Sequence, residues 1–165
     1  MTLDDIDVFV FDFDGVLTNN IVQIDENGKE SVSCSRADGL AFEVLRKLNK
    51  PAYILSTEKN LVVKARAKKL KIPAIQGVAN KMEAIKKLAA DNNYSIKNIL
   101  YVGNDLNDYL VMQLCGYCAC PADSHSKIKS ISSIILSVNG GDGIARVLLE
   151  DIFKLDFVKI LYQSK

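Results

Sequence analysis

The sequence predicts an α/β protein with a doubly wound, mostly parallel sheet between two helix layers, three layers in all. Short apolar runs rich in β-branched and aromatic residues alternate with amphipathic helical patterns along most of the chain, as in βαβ units. Reactive polar residues follow three of these runs, at the strand ends where such sheets bind ligands. The length of 165 residues, 48% of them hydrophobic, suits a single compact domain over residues 1–165.

The first strand is predicted at residues 7–12, where the apolar run DVFVFD leads into the segment DFDG. Residues 21–35 alternate loosely in polarity around Asn27 and Gly28, and Asn-Gly is a strong signal for a hairpin turn. We therefore expect a β-hairpin directly after the first strand.

The rest of the chain repeats an order of strand and then helix. Leu40, Phe42, Leu45 and Leu48 recur at helical spacing, and Pro51 marks the exit of that helix. The amphipathic C-terminal tail at 154–165 is suited to docking on a partner subunit. The predicted elements are, in order, a helix at 38–48, a strand at 52–56, a helix at 60–71, a strand at 74–76, a helix at 81–90, a strand at 98–103, a helix at 107–115, strands at 117–120 and 133–137, and a helix at 143–153.

The charges of the chain nearly cancel, since 21 Lys and Arg residues against 20 Asp and Glu residues leave a net charge of +1. This balance argues against nucleic acid or an anionic membrane as a partner. The basic helix at 60–71 also carries an apolar stripe, so we interpret its charges as a solvated face. The chain starts with acidic residues where a signal peptide is basic, and no apolar run reaches the ~20 residues of a membrane span. We expect a soluble, cytoplasmic protein.

Four cysteines raise the question of a zinc site. Cys115, Cys118 and Cys120, with His125 nearby, have the spacing C-x2-C-x-C but lack a second ligand pair. Free cysteines are commonly buried, and Cys34 stands alone. We interpret all four as reduced structural thiols.

Oxygen-bearing side chains gather at two of the predicted strand ends. Asp12 and Asp14 follow the first strand, two residues apart, and the later segment GNDLND adds Asn104, Asp105 and Asp108. So many carboxylates at one edge of a sheet need a cation. Mg²⁺ is the natural choice, because it binds few protein oxygens, keeps waters and bridges phosphate oxygens.

Two further residues complete a site for a phosphoryl group. Ser56 ends another predicted strand and can donate a hydrogen bond to a phosphoryl oxygen, and Lys81 opens a helix and can offset its charge. Together with the aspartates, they indicate phosphoryl transfer through an aspartyl-phosphate.

These segments resemble a known family. DFDGVLT, ILS, NK and GNDLND are similar to the four motifs of the haloacid dehalogenase (HAD) superfamily of phosphatases, in order and spacing. The resemblance covers nearly the whole chain and extends to the capless branch, which includes 3-deoxy-manno-octulosonate 8-phosphate phosphatase and its relatives acting on nine-carbon sugar acids. It implies a HAD-like, Rossmannoid fold without a cap domain and a magnesium-dependent phosphatase.

The resemblance also assigns roles to the motif residues. Asp12 would be the nucleophile and a magnesium ligand, and Asp14 would be the general acid and then the base, binding the metal through its main-chain carbonyl. Ser56 and Lys81 would hold the phosphoryl group, and Asp108 would organise the waters of the metal.

The chain departs from the family pattern at the third magnesium ligand. Asn104 stands where most members have an aspartate, so that one negative charge is missing. Either the amide oxygen binds the metal, or Asp105 takes over as the ligand.

A second departure concerns the substrate. Thr57, Glu58 and Lys59 stand where octulosonate phosphate phosphatases usually have Gly-Arg after the motif residue. This difference favours nine-carbon sugar acid phosphates, with Thr57 and Glu58 at the pocket wall. Arg36 is a candidate for the sugar carboxylate, since its guanidinium can bind a carboxylate through two hydrogen bonds.

Three functions remain open at this point. The leading one is a phosphatase for a 3-deoxy-ulosonic acid phosphate, either an octulosonate 8-phosphate or a nonulosonate 9-phosphate. Asn104 keeps open a weakly active or inactive oligomerisation module, like the phosphatase-like domain of some sialic acid cytidylyltransferases. Asp14 disfavours a receiver domain, which needs no second acid beside its nucleophile. The capless branch implies a homotetramer in which a hairpin covers the active site of a neighbour.

Overall fold

The structure is a computed structural model that describes residues 1–163. Strands and helices follow one another in the predicted order, joined by single turns of 3-10 or π geometry. The strands are β1 (Val8–Phe11), β2 (Gln23–Ile24), β3 (Glu30–Ser31), β4 (Ala52–Leu55), β5 (Ala74–Ile75), β6 (Ile99–Val102), β7 (Tyr117–Cys120) and β8 (Ile134–Ile135). The α-helices are α1 (Ala37–Lys47), α2 (Leu61–Leu70), α3 (Lys81–Asn92), α4 (Tyr109–Leu114), α5 (Ser126–Ile131) and α6 (Ile144–Val147).

Six strands form one parallel sheet in the order β5-β4-β1-β6-β7-β8, and β2 and β3 form a separate antiparallel hairpin. The chain enters the middle of the sheet with β1, winds outward through β4 and β5, and then crosses to β6 on the other side of β1. Doubly wound sheets leave a crevice for ligands where the winding direction reverses. The predicted fold class is confirmed, and the ligand crevice belongs at the carboxyl ends of β1 and β6.

Strand β1 is apolar at every position because both faces of the sheet are covered. Phe9 and Phe11 pack with α1, α2 and α6 on one face, and Val8 and Val10 pack with α3, α4 and α5 on the other. All four side chains are fully buried. The alternating sides of a strand therefore serve two separate cores.

Helix ends follow the capping residues in the sequence. Asn80 accepts hydrogen bonds from the N–H groups of Met82 (3.0 Å) and Glu83 (3.2 Å), so α3 begins at Lys81. It ends two residues later than predicted, at Asn92, because Asn93 adopts a left-handed backbone with φ +58°. Asn60 caps α2 in the same way.

Two C-terminal elements differ from the prediction. Helix α5 lies between the strands predicted at 117–120 and 133–137, where no helix was predicted. Ile128 is its single buried residue, so its sequence has little apolar periodicity. The helix predicted at 143–153 is α-helical only in α6 and continues as a π turn at Leu148–Ile152. This wider turn keeps both Leu148 and Leu149 in the core.

The hairpin is present, but its paired strands are only two residues long. The Asp25 carboxylate accepts the N–H groups of Asn27 and Lys29, both at 2.9 Å, and Gly28 has φ +76°. This positive φ explains the glycine at the turn. The hairpin segment also exposes the apolar side chains of Ile21, Val22 and Ile24.

The C-terminal tail lies on its own chain as far as Gln163, and residues 164 and 165 of the predicted tail lie outside the described residues. Phe157 and Leu161 join the core formed with α1 and α6. The Lys47 ammonium donates to the carbonyl of Leu161 at 2.6 Å. The chain itself therefore covers Phe157 and Leu161, while Val158 and Tyr162 of the tail are exposed. Within residues 1–163, no helix is long and apolar enough to cross a membrane.

Candidate active site

The predicted site residues, apart from Arg36, converge at the carboxyl ends of β1, β4 and β6. A cleft of about 510 Å³ opens there. Because these three strands are neighbours in the sheet, residues from distant parts of the chain share this one edge. The cleft is lined by Asp12, Asp14, Asn20, Val22, Glu30, Thr57, Glu58, Asn104, Asp105, Leu106 and Asn107.

Asp12 follows the last residue of β1, and its N–H donates to the carbonyl of Val102 at 2.9 Å, which extends the ladder to β6. The residue is only 4% exposed, and one carboxylate oxygen lies 2.9 Å from Lys81 Nζ. Burial and the nearby charge of Asp108 raise the pKa of Asp12 above its ordinary value, while Lys81 lowers it. One ammonium does not balance two buried carboxylates, so the site favours an additional positive charge.

Lys81 lies between these two carboxylates. Its Nζ is 2.9 Å from Asp12 and 2.7 Å from Asp108, and the side chain is almost fully buried. Burial disfavours the charged form, but the two carboxylates outweigh this effect and raise the pKa of Lys81 above its usual value. Lys81 therefore stays protonated and can bind an anion.

Asp108 is completely buried and accepts hydrogen bonds at both oxygens. Oδ1 accepts from Lys81 and from the hydroxyl of Tyr101, each at 2.7 Å, and Oδ2 accepts the N–H of Asn104 at 2.9 Å. Sequence reasoning missed Tyr101. A tyrosine among aliphatic neighbours in a buried strand needs a hydrogen-bond partner, and this was the available signal.

Asp14 sits in the turn that follows Asp12 and lines the cleft. Partial burial is the main reason why the pKa of Asp14 is raised, and the negative charges of Glu58 and Glu30 raise it further, while Lys81 lowers it. A raised pKa favours the protonated carboxyl that a general acid requires. Gly15 continues the turn with φ +79°, and a Cβ added to it would lie 1.9 Å from Asn104 Nδ2. Only glycine fits between the turn and Asn104.

Asn104 is held by its main chain and leaves a side-chain oxygen free. Its N–H donates to Asp108, and its carbonyl accepts the N–H of His125 at 2.9 Å. Its Oδ1 is buried without a hydrogen-bond partner. A buried oxygen left unpaired is costly, so this atom suits a ligand.

Asp105 is engaged differently. Its Oδ1 accepts the N–H of Leu106 at 2.7 Å and caps the 3-10 turn Leu106–Asp108. No three His, Cys, Asp or Glu side chains in the described part of the chain are grouped to hold a metal. A set made of the Asp12 carboxylate, the main-chain carbonyl of Asp14 and the Asn104 amide does not require such a group, and it consists of the oxygen ligands that Mg²⁺ accepts.

The remaining candidates are placed as follows. Ser56 is buried at the end of β4, where its hydroxyl oxygen accepts the N–H of Glu58 at 3.0 Å and keeps its proton for a ligand. Thr57 and Glu58 line the cleft, while Arg36 is exposed and is not among the lining residues. Glu30 of the hairpin also lines the cleft and accepts a hydrogen bond from Asn60.

Three of the four cysteines lie apart from the cleft, and Cys34 forms a β-bridge with Thr18 at the base of the hairpin. Cys115, Cys118 and Cys120 belong to the core that packs on α3 and α4. Burial raises the pKa of Cys115 to about 12, which keeps it a neutral thiol. His125 is exposed and uses Nδ1 to accept the N–H of Lys127.

Comparison with known proteins gives the same family. The sequence pattern of the haloacid dehalogenase-like hydrolases matches residues 47–148. The 3-deoxy-D-manno-octulosonate 8-phosphate phosphatase of Escherichia coli strain K12 is 28% identical over 144 residues, which cover 87% of this chain and 77% of that protein.

Solved structures agree in fold. A HAD-family protein from Streptomyces avermitilis is 41% identical, with a TM-score of 0.88 over 91% of this chain and 86% of that one. The octulosonate phosphatase of Moraxella catarrhalis, solved with a magnesium ion, a phosphate ion and a KDO molecule, is 26% identical, with a TM-score of 0.86 over 91% and 87% of the chains. A cobalt-bound relative from Haemophilus influenzae is 26% identical, with a TM-score of 0.87 over 93% and 91%.

Proposed function

Because this chain belongs to the haloacid dehalogenase-like hydrolases and is a phosphoric monoester hydrolase of their capless branch, we propose that it releases phosphate from a 3-deoxy-ulosonic sugar acid phosphate. The observation that carries the proposal is the buried arrangement of Asp12, Lys81 and Asp108 beside Asp14 and the free oxygen of Asn104, at the floor of an open cleft.

The chemistry follows from the positions of two aspartates. The Asp12 carboxylate attacks phosphorus and forms an aspartyl-phosphate, while the bond from phosphorus to the ester oxygen breaks and Asp14 gives that oxygen a proton. Asp14 then takes a proton from the water that attacks the intermediate, which releases phosphate and frees Asp12. Lys81 and the Ser56 hydroxyl hold the phosphoryl oxygens through both steps.

Magnesium is the proposed cofactor. The carboxylate of Asp12, the main-chain carbonyl of Asp14 and Oδ1 of Asn104 would hold it, and Asp108 keeps Asn104 in place through its N–H. A bound divalent ion would supply positive charge against the phosphoryl oxygens and against the excess of carboxylates in the cleft. The free amide oxygen supports an active enzyme over an inert module.

The cleft walls support a polyhydroxylated substrate. The cleft lining carries side-chain oxygen acceptors, which suit sugar hydroxyls as donors. They belong to Glu30, Thr57, Glu58 and Asn107. Among the described residues that line the cleft there is no Lys or Arg for a sugar carboxylate. We propose that this carboxylate is recognised by a neighbouring copy in a homotetramer. The acid at Glu58 favours the nine-carbon substrate.

The test is a phosphate-release assay with magnesium over four substrates: an octulosonate 8-phosphate, a nonulosonate 9-phosphate, a neutral hexose 6-phosphate and a small aryl phosphate. We expect the highest kcat/KM for a sugar acid phosphate. Asp12→Asn should lower turnover at least about a thousandfold, because the nucleophile is lost while the side-chain size is kept.

Two results would count against the proposal. Activity retained in a pure Asp12→Asn preparation would contradict the nucleophile, and preference for the neutral hexose phosphate would contradict the substrate class. Circular dichroism of the variant controls for folding.

A further inference from the structure

Tyr101 lies on β6, one strand away from the Asp12 carboxylate, and is fully buried. Its side chain is in the core between the sheet and helices α3 and α4. Its hydroxyl donates to Asp108 Oδ1 at 2.7 Å, and Lys81 Nζ lies at 2.7 Å from the same oxygen. One carboxylate oxygen therefore joins the tyrosine to the phosphoryl-binding lysine.

Hydrogen bonds at both carboxylate oxygens fix the side chain of Asp108. Both of its oxygens are engaged, Oδ1 by Tyr101 and Lys81 and Oδ2 by the N–H of Asn104. Removing the tyrosine hydroxyl would leave Oδ1 with Lys81 as its single donor. In a buried carboxylate no water replaces the missing bond, so the loss changes the interaction with the remaining partner, Lys81.

The two carboxylates compete for the ammonium of Lys81, which is 2.9 Å from Asp12 and 2.7 Å from Asp108. A hydrogen bond from Tyr101 withdraws negative charge from Asp108 Oδ1 and weakens its attraction for Lys81. The lysine then stays close to Asp12, where the phosphoryl group would be transferred.

We infer that Tyr101 is a positioning residue that sets the location of Lys81 through Asp108. This inference rests on the proposed function, since it assumes that Lys81 binds the phosphoryl group. The hydroxyl is needed for this role, whereas the ring serves packing.

The experiment compares Tyr101→Phe with Tyr53→Phe. Tyr53 lies on β4 and packs against the same core layer as Tyr94, and neither residue lines the cleft. Both variants keep the aromatic ring, so both should fold. The readouts, with a small aryl phosphate, are kcat, KM, the inhibition constant of vanadate, the magnesium concentration for half-maximal activity, and Tm with and without magnesium and vanadate.

We expect Tyr101→Phe to lower kcat about tenfold and to weaken vanadate inhibition about tenfold, the loss expected for a hydrogen bond to a charged group. The magnesium requirement should not change, because the N–H of Asn104 keeps its bond to Asp108. Tyr53→Phe should leave all kinetic constants unchanged. The thermal shift by magnesium and vanadate, which needs no turnover, should be smaller in Tyr101→Phe alone.

Three results would overturn the inference. They are a kcat within about twofold of the wild type, a fall in Tm as the single effect, and a changed magnesium requirement, which would place the effect at Asn104. A wild type with neither phosphatase activity nor vanadate binding would refute the proposed function itself. The two failures are therefore distinct.

Discussion

Asn104 replaces a carboxylate with an amide at the proposed metal site, so its oxygen would bind a cation with one negative charge fewer. Asn104→Asp restores the charge without changing the size of the side chain. We expect the magnesium concentration for half-maximal activity to fall on the order of tenfold, because a carboxylate attracts a dication more strongly than an amide does. A titration of activity against magnesium measures the effect.

The matched variant is Asp105→Asn, which tests the other possible ligand. Asp105 caps the 3-10 turn through its bond to Leu106, and an asparagine oxygen can accept the same bond, so this variant should change stability by less than about 0.5 kcal/mol and leave the magnesium requirement unchanged. A sharply higher magnesium concentration for half-maximal activity in Asp105→Asn would assign the ligand to Asp105. An unchanged concentration in Asn104→Asp would do the same.

Asp38 is a buried carboxylate outside the cleft. It lies in the first turn of α1, is 1% exposed, and accepts the N–H of Ala145 at 2.9 Å at the start of α6. Burial raises the pKa of Asp38 to about 6. The main-chain N–H groups of Arg146 and Ala145 and the charge of Arg66 act in the opposite direction and lower it. The folded protein therefore binds a proton between about pH 4 and pH 6, where the unfolded chain has released it.

The sign of the pH dependence follows. Stability from this group is greatest below pH 4, falls as the pH rises to about 6 and is constant above it, a difference of about 3 kcal/mol. Asp38→Asn should remove this contribution, so that its free energy of unfolding declines less across that range than that of the wild type. Urea unfolding at several pH values measures it.

The control for this pH effect is Asp156→Asn. Asp156 also accepts a main-chain N–H, from Lys159 at 2.9 Å, but it is exposed. Its variant should follow the wild-type pH dependence. Equal slopes for wild type and Asp38→Asn would show that Asp38 is not the group responsible.

At the scale of elements, the loop before α6 supports the turn that carries Asp14. The N–H of Gly140 donates to Asp123 at 2.9 Å, and the N–H of Gly141 donates to the carbonyl of Val16 at 3.0 Å. A Cβ on Gly140 would lie 2.1 Å from the carbonyl oxygen of Gly15. The close approach of two main chains therefore explains the glycine.

Gly140→Ala should destabilise the protein by about 1–3 kcal/mol, because the alanine has to push the loop off the turn. Turnover should fall as well, since the turn positions Asp14. The matched control is Gly39→Ala in α1, where an added Cβ meets no atom within 4 Å. It should raise stability by up to about 1 kcal/mol. Thermal unfolding of both variants measures the change in stability. Equal changes in Tm for Gly140→Ala and Gly39→Ala would contradict the close contact between Gly140 and Gly15.

At the scale of the whole molecule, the hairpin leaves apolar surface uncovered next to the cleft. Ile21 is 62% exposed, Ile24 is 67% exposed, and Leu106 at the cleft is 55% exposed. Apolar side chains clustered beside a binding cleft are typical of a protein contact. They support the proposed homotetramer, in which a neighbour completes the site.

We expect light scattering to give a tetramer and Ile24→Ser to weaken it. Leu61→Ser is the control, because Leu61 is 75% exposed on α2, outside the hairpin. Deleting the tip at Asn27 and Gly28 should lower activity toward the sugar acid phosphate more than toward a small aryl phosphate. A stable monomer with full activity on the sugar acid would contradict both the assembly and its role.

The sequence alone was enough to predict the layers, the strand order along the chain and the cleft. Apolar runs, helical spacing and capping residues such as Asn80 act over a few neighbours, so they can be recognised locally. Asp12, Asp14 and Asn104 were placed at one edge because parallel strands share their carboxyl ends. Helix α5 was missed because a short polar helix with one buried residue has almost no periodic pattern.

Only the tertiary structure decided which buried polar groups become partners. Tyr101, Lys81 and Asp108 meet because β6 lies next to β1 and α3 packs on the same face, although Lys81 and Asp108 are 27 residues apart. Asp38 meets Ala145 across 107 residues. A residue's type shows that it needs a partner, but the choice of partner depends on which elements are adjacent, and adjacency arises only when the sheet has formed.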